Sequence, residues 1–80
     1  MASEDNLQLG IYEHYKGKQY QVIGIGKHTE TLEEFVIYKP LYDLKKNQDV
    51  LWIRPKKMFL EKVSLEGKLI QRFRFLKSQL

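Results

Sequence analysis

Short runs of β-branched and aromatic residues, separated by turn-forming residues, begin at Ile11. The run "IYEHY", closed by "KGK", predicts a strand that enters a glycine turn, and "QYQVIGIGK" from Gln19 predicts its hairpin partner. After the polar stretch "HTETLEE", the run "FVIYK" predicts a third strand that ends at Pro40, since proline cannot donate a ladder hydrogen bond. The first forty residues therefore predict a hairpin followed by a third strand.

The second half of the chain continues the pattern. Residues 41–49, "LYDLKKNQD", predict a loop, and "VLWIR" predicts a fourth strand that stops at Pro55. "PKKMFL" is too short for an independent helix and predicts one helical turn near Pro55 to Leu60, of the tighter 3₁₀ kind. "KVSL", "EG" and "KLIQRFRFL" then predict a last hairpin with a long final strand.

These elements predict an all-β protein, a small five-stranded SH3-like barrel with one short 3₁₀ turn. A small antiparallel sandwich is the alternative. Eighty residues suffice for one domain only, and without cysteine its apolar core must stabilise it without disulfides. We expect residues 1–9 to form a flexible segment and residues 10–80 to form the single domain.

Period-two alternation separates two faces on the fourth and last strands. We expect the aliphatic and phenyl side chains to form the core, which on the fourth strand means Leu51 and Ile53. Trp52 and Arg54 then share the opposite face, where a guanidinium and an indole can make a cation–π contact of ~0.5 to 2 kcal/mol. On the last strand the same rule places the two phenylalanines inside and the arginines outside.

The net charge of +4 is unevenly distributed along the chain. Residues 1–34 carry three lysines and six acids (−3), whereas residues 35–80 carry eleven lysines and arginines and four acids (+7). This asymmetry favours a polyanionic partner, although folding of the acidic half over the basic half would cancel the field. The first nine residues lack the features of a signal peptide, and no apolar run is long enough to span a bilayer. We therefore expect a cytoplasmic protein without a membrane partner.

Several segments, "GIYEHYKGKQYQVIGIGKHTET", "VIYKPLY", "LWIRPKKMF" and "EGK" followed by "RF", resemble in order and spacing the DUF1653 family of small bacterial proteins. The resemblance covers Gly10 to about Phe75. It implies an SH3-like barrel. It implies no activity, substrate or catalytic residue, because the family is defined as a domain of unknown function.

Five residues are candidates for a ligand site if barrel closure brings them to one concave surface: His14, Tyr38, Trp52, Arg54 and Arg72. Together they would form an aromatic-lined cationic pocket that takes a carboxylate, a phosphate or a stacked base. The alternative is structural: polar aromatic side chains half-bury their rings, Trp52 caps the barrel, and Arg54 pairs with an acid such as Glu30.

No catalytic residue, metal ligand or cofactor site is predicted. The two histidines have no recognised ligand spacing, and the chain lacks a cysteine nucleophile. We expect a small non-catalytic binding module whose aromatic and cationic face recognises a protein segment or an anionic ligand, with a protein or peptide as the favoured partner. Non-specific binding of nucleic acid (RNA) through the basic half, and a structural role in a larger complex, are the alternatives.

Overall fold

The computed structural model describes residues 7–78, which form seven strands and one helical turn. The elements are β1 (Gly10–His14), β2 (Gln19–Lys27), β3 (Glu34–Pro40), β4 (Trp52–Pro55), α1 (Lys56–Phe59), β5 (Lys62–Leu65), β6 (Lys68–Gln71) and β7 (Phe73–Lys77). Gly17 and Gly67 take positive φ angles of 105° and 82° in the turns that close the two hairpins. The hairpins predicted around "KGK" and "EG" are therefore present.

Five strands form one antiparallel sheet in the order β4-β3-β2-β1-β7, and β5 pairs with β6 in a separate two-stranded sheet. The predicted all-β class is confirmed. Closure into a barrel is not seen, because no backbone pairing joins β4 to β7 within residues 7–78. We call the gap between these two edge strands the β4–β7 seam; side chains fill it.

The long final strand predicted from "KLIQRFRFL" is wrong, because the chain changes partner at Arg72. The amide of Arg72 donates to the carbonyl of Glu61 (3.3 Å), and its carbonyl accepts from the amide of Tyr15 (2.9 Å). The segment before this bend pairs with β5, and the segment after it pairs with β1. One apolar run therefore contributes a strand to each of the two sheets.

The predicted core face of β4 is also wrong. Tyr38 lies directly opposite Trp52 and Val36 opposite Arg54, and directly opposite residues point to the same face of a sheet. Since Val36 and Tyr38 are buried, Trp52 and Arg54 point inwards, and Ile53 on the other face is 63% exposed. That Trp52 and Arg54 share a face is confirmed; its direction is the reverse of that expected.

The core lies on the concave face of the main sheet and is mainly aromatic. It consists of Tyr12, Tyr20, Val22, Val36, Tyr38, Phe59 and Phe73. The predicted helical turn is present at Lys56–Phe59, but it is α-helical rather than 3₁₀, and it inserts Phe59 into this core. An α-type bond from the amide of Leu60 to the carbonyl of Lys56 (3.0 Å) closes the turn, and a 3₁₀-type bond from Glu61 to Met58 (3.2 Å) follows it.

The register of β2 against β3 shifts between Val22 and Gly24, a β-bulge at a position where glycine is common. At the start of the described chain, Leu7 packs against the core, and the carbonyl of Gln8 accepts a hydrogen bond from the hydroxyl of Tyr12 (2.7 Å). The flexibility expected for residues 1–6 lies outside the described residues. The division into a segment 1–9 and a domain 10–80 stays a prediction.

Candidate functional site

The inner face of the sheet reaches the surface at the end formed by the β1–β2 turn and the loop between β3 and β4. Tyr20 at the start of β2 lies opposite Pro40 at the end of β3, so residues 15–18 and 41–51 lie at the same end. The side chains there form what we call the aromatic-cationic face: His14, Tyr20, Tyr38, Tyr42, Trp52 and Arg54.

Arg54 and Tyr38 form the deepest polar contact of this face. The Nε of Arg54 donates a hydrogen bond to the hydroxyl of Tyr38 (3.3 Å), and the ring of Trp52 meets the ring of Tyr38 edge-on with centroids 6.0 Å apart. The guanidinium carbon lies 5.7 Å from the ring centroid of Phe73, so Arg54 reaches across the β4–β7 seam. Three of the five predicted site residues are thus in one group.

Arg54 is half-buried, and no carboxylate among residues 7–78 forms an ion pair with it. The pairing with Glu30 that the structural alternative requires is not observed, because the described partners of Arg54 are Tyr38 and Phe73. A guanidinium in partly desolvated surroundings without a counter-charge attracts anions more strongly than one in water. Arg54 is therefore the residue of this face best suited to bind an oxyanion.

His14, the last residue of β1, lies at the edge of this face. Its ring contacts those of Tyr15 (4.6 Å between centroids) and Phe73 (5.0 Å), and its Nδ1 accepts a hydrogen bond from the amide of Lys16 (3.1 Å). In the neutral ring the proton then resides on Nε2. Burial lowers the pKa of His14, and the nearby positive charges lower it further. Those charges belong to Arg54, Arg72 and Lys16.

Arg72, the fifth predicted residue, lies at the bend between β6 and β7, and its side chain already has an acidic partner. Its guanidinium pairs with Glu61 at 3.4 Å, while its buried Nε has no hydrogen-bond partner among the described residues. Its charge still reaches His14, since it contributes to the lowered pKa of that ring. Arg72 therefore adds to the positive field but is a weaker candidate for direct ligand contact than Arg54.

Tyr20 is the centre of the face, and sequence reasoning did not select it. Its hydroxyl hydrogen-bonds that of Tyr42 (3.0 Å), and its ring contacts those of Tyr42 (5.6 Å between centroids) and Trp52 (5.7 Å). Burial and the Tyr42 hydroxyl raise the pKa of Tyr20. Lys18, which was also missed, places its Nζ 4.4 Å from the ring centroid of Tyr42. The register of the β1–β2 hairpin, which pairs Tyr12 with Tyr20, would have indicated that Tyr20 points inwards and that Lys18 lies beside it in the turn.

A cavity of about 360 Å³ lies beside the face, between the end of β1 and the separate hairpin. Its lining includes Glu13, His14 and Tyr15 from β1 and the turn after it, Ile70 from β6 and Arg74 from β7. An ion pair between Glu13 and Arg74 neutralises the charges there. The cavity therefore extends the space next to His14 without adding a free charge.

Acidification is expected to destabilise the protein through His14. In the unfolded chain His14 has its ordinary pKa of about 6.5, and in the folded protein its pKa is lower. Just below pH 6.5 the unfolded chain therefore binds a proton more readily than the folded protein does. This contribution to stability is fully present above that value and is lost as the pH falls through the lowered pKa of the folded state. His14→Gln should flatten the pH dependence of the unfolding free energy below pH ~6.5, measured by urea denaturation.

The control for this prediction is His28→Gln, which removes an exposed histidine from the turn at the other end of the sheet, so that a flattening seen only in His14→Gln belongs to His14. If the free energy of unfolding depends on pH in the same way in wild type and His14→Gln, His14 is not the source of the acid destabilisation. Carboxylates titrate at lower pH and contribute equally to all three proteins.

No group of three or more histidine and acidic side chains within residues 7–78 is placed to hold a metal ion. The expectation that the protein needs no metal or cofactor stays a prediction. In the same part of the chain, no helix has the length and hydropathy required to cross a membrane.

The fold and this face define a small all-β protein with an aromatic and cationic surface at one end of its sheet. The chain belongs to the DUF1653 family: the family model, described as "Protein of unknown function", matches residues 10–75. The predicted family membership is thus confirmed, and this description assigns no catalytic role.

A crystal structure of a DUF1653 protein from Bordetella bronchiseptica is similar to this chain, with a TM-score of 0.79 and 27% sequence identity. The match covers 92% of each chain. No curated protein matches significantly. The comparisons therefore support the fold and the family, and any function must be argued from the site.

Proposed function

We propose that the protein is a small non-catalytic binding module whose aromatic-cationic face recognises an oxyanion, either a carboxylate of a protein segment or a phosphate. The observation that supports this is Arg54, half-buried between Tyr38 and Phe73 with no acidic partner among residues 7–78. Leaving a charge partly desolvated and unpaired costs free energy. A bound oxyanion would offset that cost and accept hydrogen bonds from the other N–H groups of the guanidinium.

The surroundings of Arg54 also suit recognition. The hydrogen bond from Nε to Tyr38 holds the guanidinium in place, so little side-chain entropy remains to be lost when a ligand binds. Trp52 and Tyr42 are half-buried beside it and offer apolar surface. Arginine next to tryptophan and tyrosine is the combination most enriched among residues that dominate binding energy.

The described contacts provide no catalytic pair. Catalysis by a histidine requires a nucleophile or a reacting proton within hydrogen-bond reach. Nδ1 of His14 is occupied by the amide of Lys16, and the described neighbours of its ring are Tyr15, Tyr20 and Phe73. This set supports binding rather than bond cleavage.

Trp52, the sole tryptophan, allows a direct test by fluorescence. Titration with pyrophosphate and with a short acidic peptide should change its emission saturably, and the two arms distinguish phosphate from carboxylate. Arg54→Met should weaken binding about tenfold or more, because hydrogen bonds to charged groups contribute ~1.5 to 3 kcal/mol. Arg74→Met removes the same charge from an exposed arginine outside the face and should bind as wild type does.

Melting curves for both variants separate binding from folding. If Arg54→Met melts several degrees lower and keeps wild-type affinity, Arg54 is a structural residue and the proposal fails. If neither probe changes the emission of Trp52 at millimolar concentration, the face is not an oxyanion site.

A further inference from the structure

We propose that the ligand of the aromatic-cationic face is a single-stranded nucleic acid, whose bases stack on Trp52 and Tyr42 while its phosphates contact Lys16, Lys18 and Arg54. This inference rests on the proposed function, since both assign the anion to Arg54. It goes further in naming the class of polymer and the residues that take the bases.

We call the rings of Trp52 and Tyr42 the platform; both rest on the ring of Tyr20, which they meet at interplanar angles of 47° and 87°. Trp52 and Tyr42 are both half-buried and both pack on Tyr20, with ring centroids 5.7 and 5.6 Å from it. Tyr20 itself is buried and hydrogen-bonded to the hydroxyl of Tyr42, so the base of the platform is held in place. Rings fixed in this way and partly accessible to solvent are suited to stacking with bases, which tolerates any sequence.

Cations lie beside three rings in or next to this face. Nζ of Lys18 lies 4.4 Å from the ring centroid of Tyr42, Nζ of Lys16 lies 5.9 Å from that of Tyr15, and the guanidinium of Arg54 adjoins Phe73. None of these three cations takes part in an ion pair within residues 7–78. Cations interleaved with rings match a polymer in which phosphates alternate with bases.

The distribution of charge supports the same ligand. Lys16 and Lys18 belong to the half of the sequence with a net negative charge, yet they lie beside Tyr15 and Tyr42, and the guanidinium of Arg54 reaches the same group of rings through Tyr38 and Phe73. The turn at the opposite end of the sheet carries Glu30 and Glu33. The aromatic-cationic face therefore presents positive charge beside its rings, which favours the approach of a polyanion.

Two other polyanions fit less well. An acidic peptide would satisfy the cations but would leave the rings without flat partners. A duplex hides the faces of its bases in its own stack, so it too would leave the rings of Trp52 and Tyr42 without stacking partners.

The experiment measures fluorescence anisotropy of a labelled oligothymidylate of about twelve nucleotides, with a duplex of equal length and an oligoglutamate as comparison probes. The single strand should bind more tightly than either. Its affinity should fall with salt, with a slope of about 0.7 per phosphate contact. The double variant Lys16→Gln/Lys18→Gln should reduce the slope by about 1.4, whereas Lys57→Gln/Lys68→Gln, which removes equal charge elsewhere, should leave it unchanged.

Tyr42→Leu tests stacking separately from charge and should weaken oligothymidylate binding about tenfold with little change in the salt slope. The inference would be overturned if both lysine double variants lost the same affinity and salt dependence for oligothymidylate. It would also be overturned if the duplex bound as tightly as the single strand. If Arg54 is required for pyrophosphate and oligoglutamate while oligothymidylate does not bind, the inference fails and the proposed oxyanion site stands. If no probe binds, both fail.

Discussion

Replacing Phe59 by alanine is expected to remove a large fraction of the free energy of unfolding. Phe59 is 1% exposed, its ring stacks on Phe73 with centroids 4.1 Å apart, and it meets Tyr12 and Tyr38 edge-on. Removing a buried phenyl group costs about 3 to 5 kcal/mol. At ~0.05 to 0.15 kcal/mol per residue, that is a large fraction of the stability of a chain this short.

Phe59 has a second role that raises the cost. It is the buried residue of α1, and it packs on Phe73 of β7 while the same helical turn continues directly from β4. Phe59 thus bridges the β4–β7 seam, where backbone hydrogen bonds do not contribute. Its removal should allow the edge strands to separate.

Urea denaturation followed by far-UV circular dichroism measures this effect. Met58→Ala is the matched control, since Met58 is the preceding residue of the same turn and is 44% exposed. It should cost less than ~1 kcal/mol. A Phe59→Ala protein within about 1 kcal/mol of wild type would contradict this account of the seam.

Gly10→Ala is the second substitution with a large expected effect. Gly10 has a φ of 141°, and a Cβ added there would lie 2.4 Å from the carbonyl oxygen of Lys77 and 2.8 Å from the Cα of Ser78. Both obstacles are backbone atoms, so the end of β7 must move away from β1. We expect a loss of about 3 kcal/mol or more, from the positive φ and the clash together.

Gly67→Ala separates these two causes. Gly67 also has a positive φ, 82°, but nothing lies within 4 Å of its added Cβ, so only the conformational cost of ~1 to 2 kcal/mol applies. Thermal melts of the two variants should therefore show a clearly larger drop for Gly10→Ala. Equal drops would mean that the close approach of Gly10 to β7 does not contribute to stability.

Local patterns predicted the features that local chemistry determines. Alternation and turn residues located β1 to β4, and proline located the ends of β3 and β4. Period-two spacing also placed Trp52 and Arg54 on one face. These properties depend on residues close together in the chain.

Features that depend on pairing between distant strands could not be predicted. Which face of β4 points inwards depends on Tyr38 lying opposite Trp52, and hydrophobicity alone favoured Ile53, which is exposed. The division of the last apolar run at Arg72 depends on hydrogen bonds to Glu61 and Tyr15. Tyr15 is far from Arg72 in the sequence, and the β5–β6 hairpin separates Glu61 from it. Tyr20 and Lys18 joined the candidate site only through hairpin register.

The β4–β7 seam has a consequence for how such a protein can evolve. Arg54 contacts Phe73 across the seam and is also the proposed anion ligand, so selection for stability and selection for recognition act on the same side chain. A substitution there that alters recognition also loosens the fold. Tyr42 and Lys18 lie outside the strands, and changes at these positions leave the seam intact. New specificities should therefore accumulate in the turn and the loop while the seam stays constant.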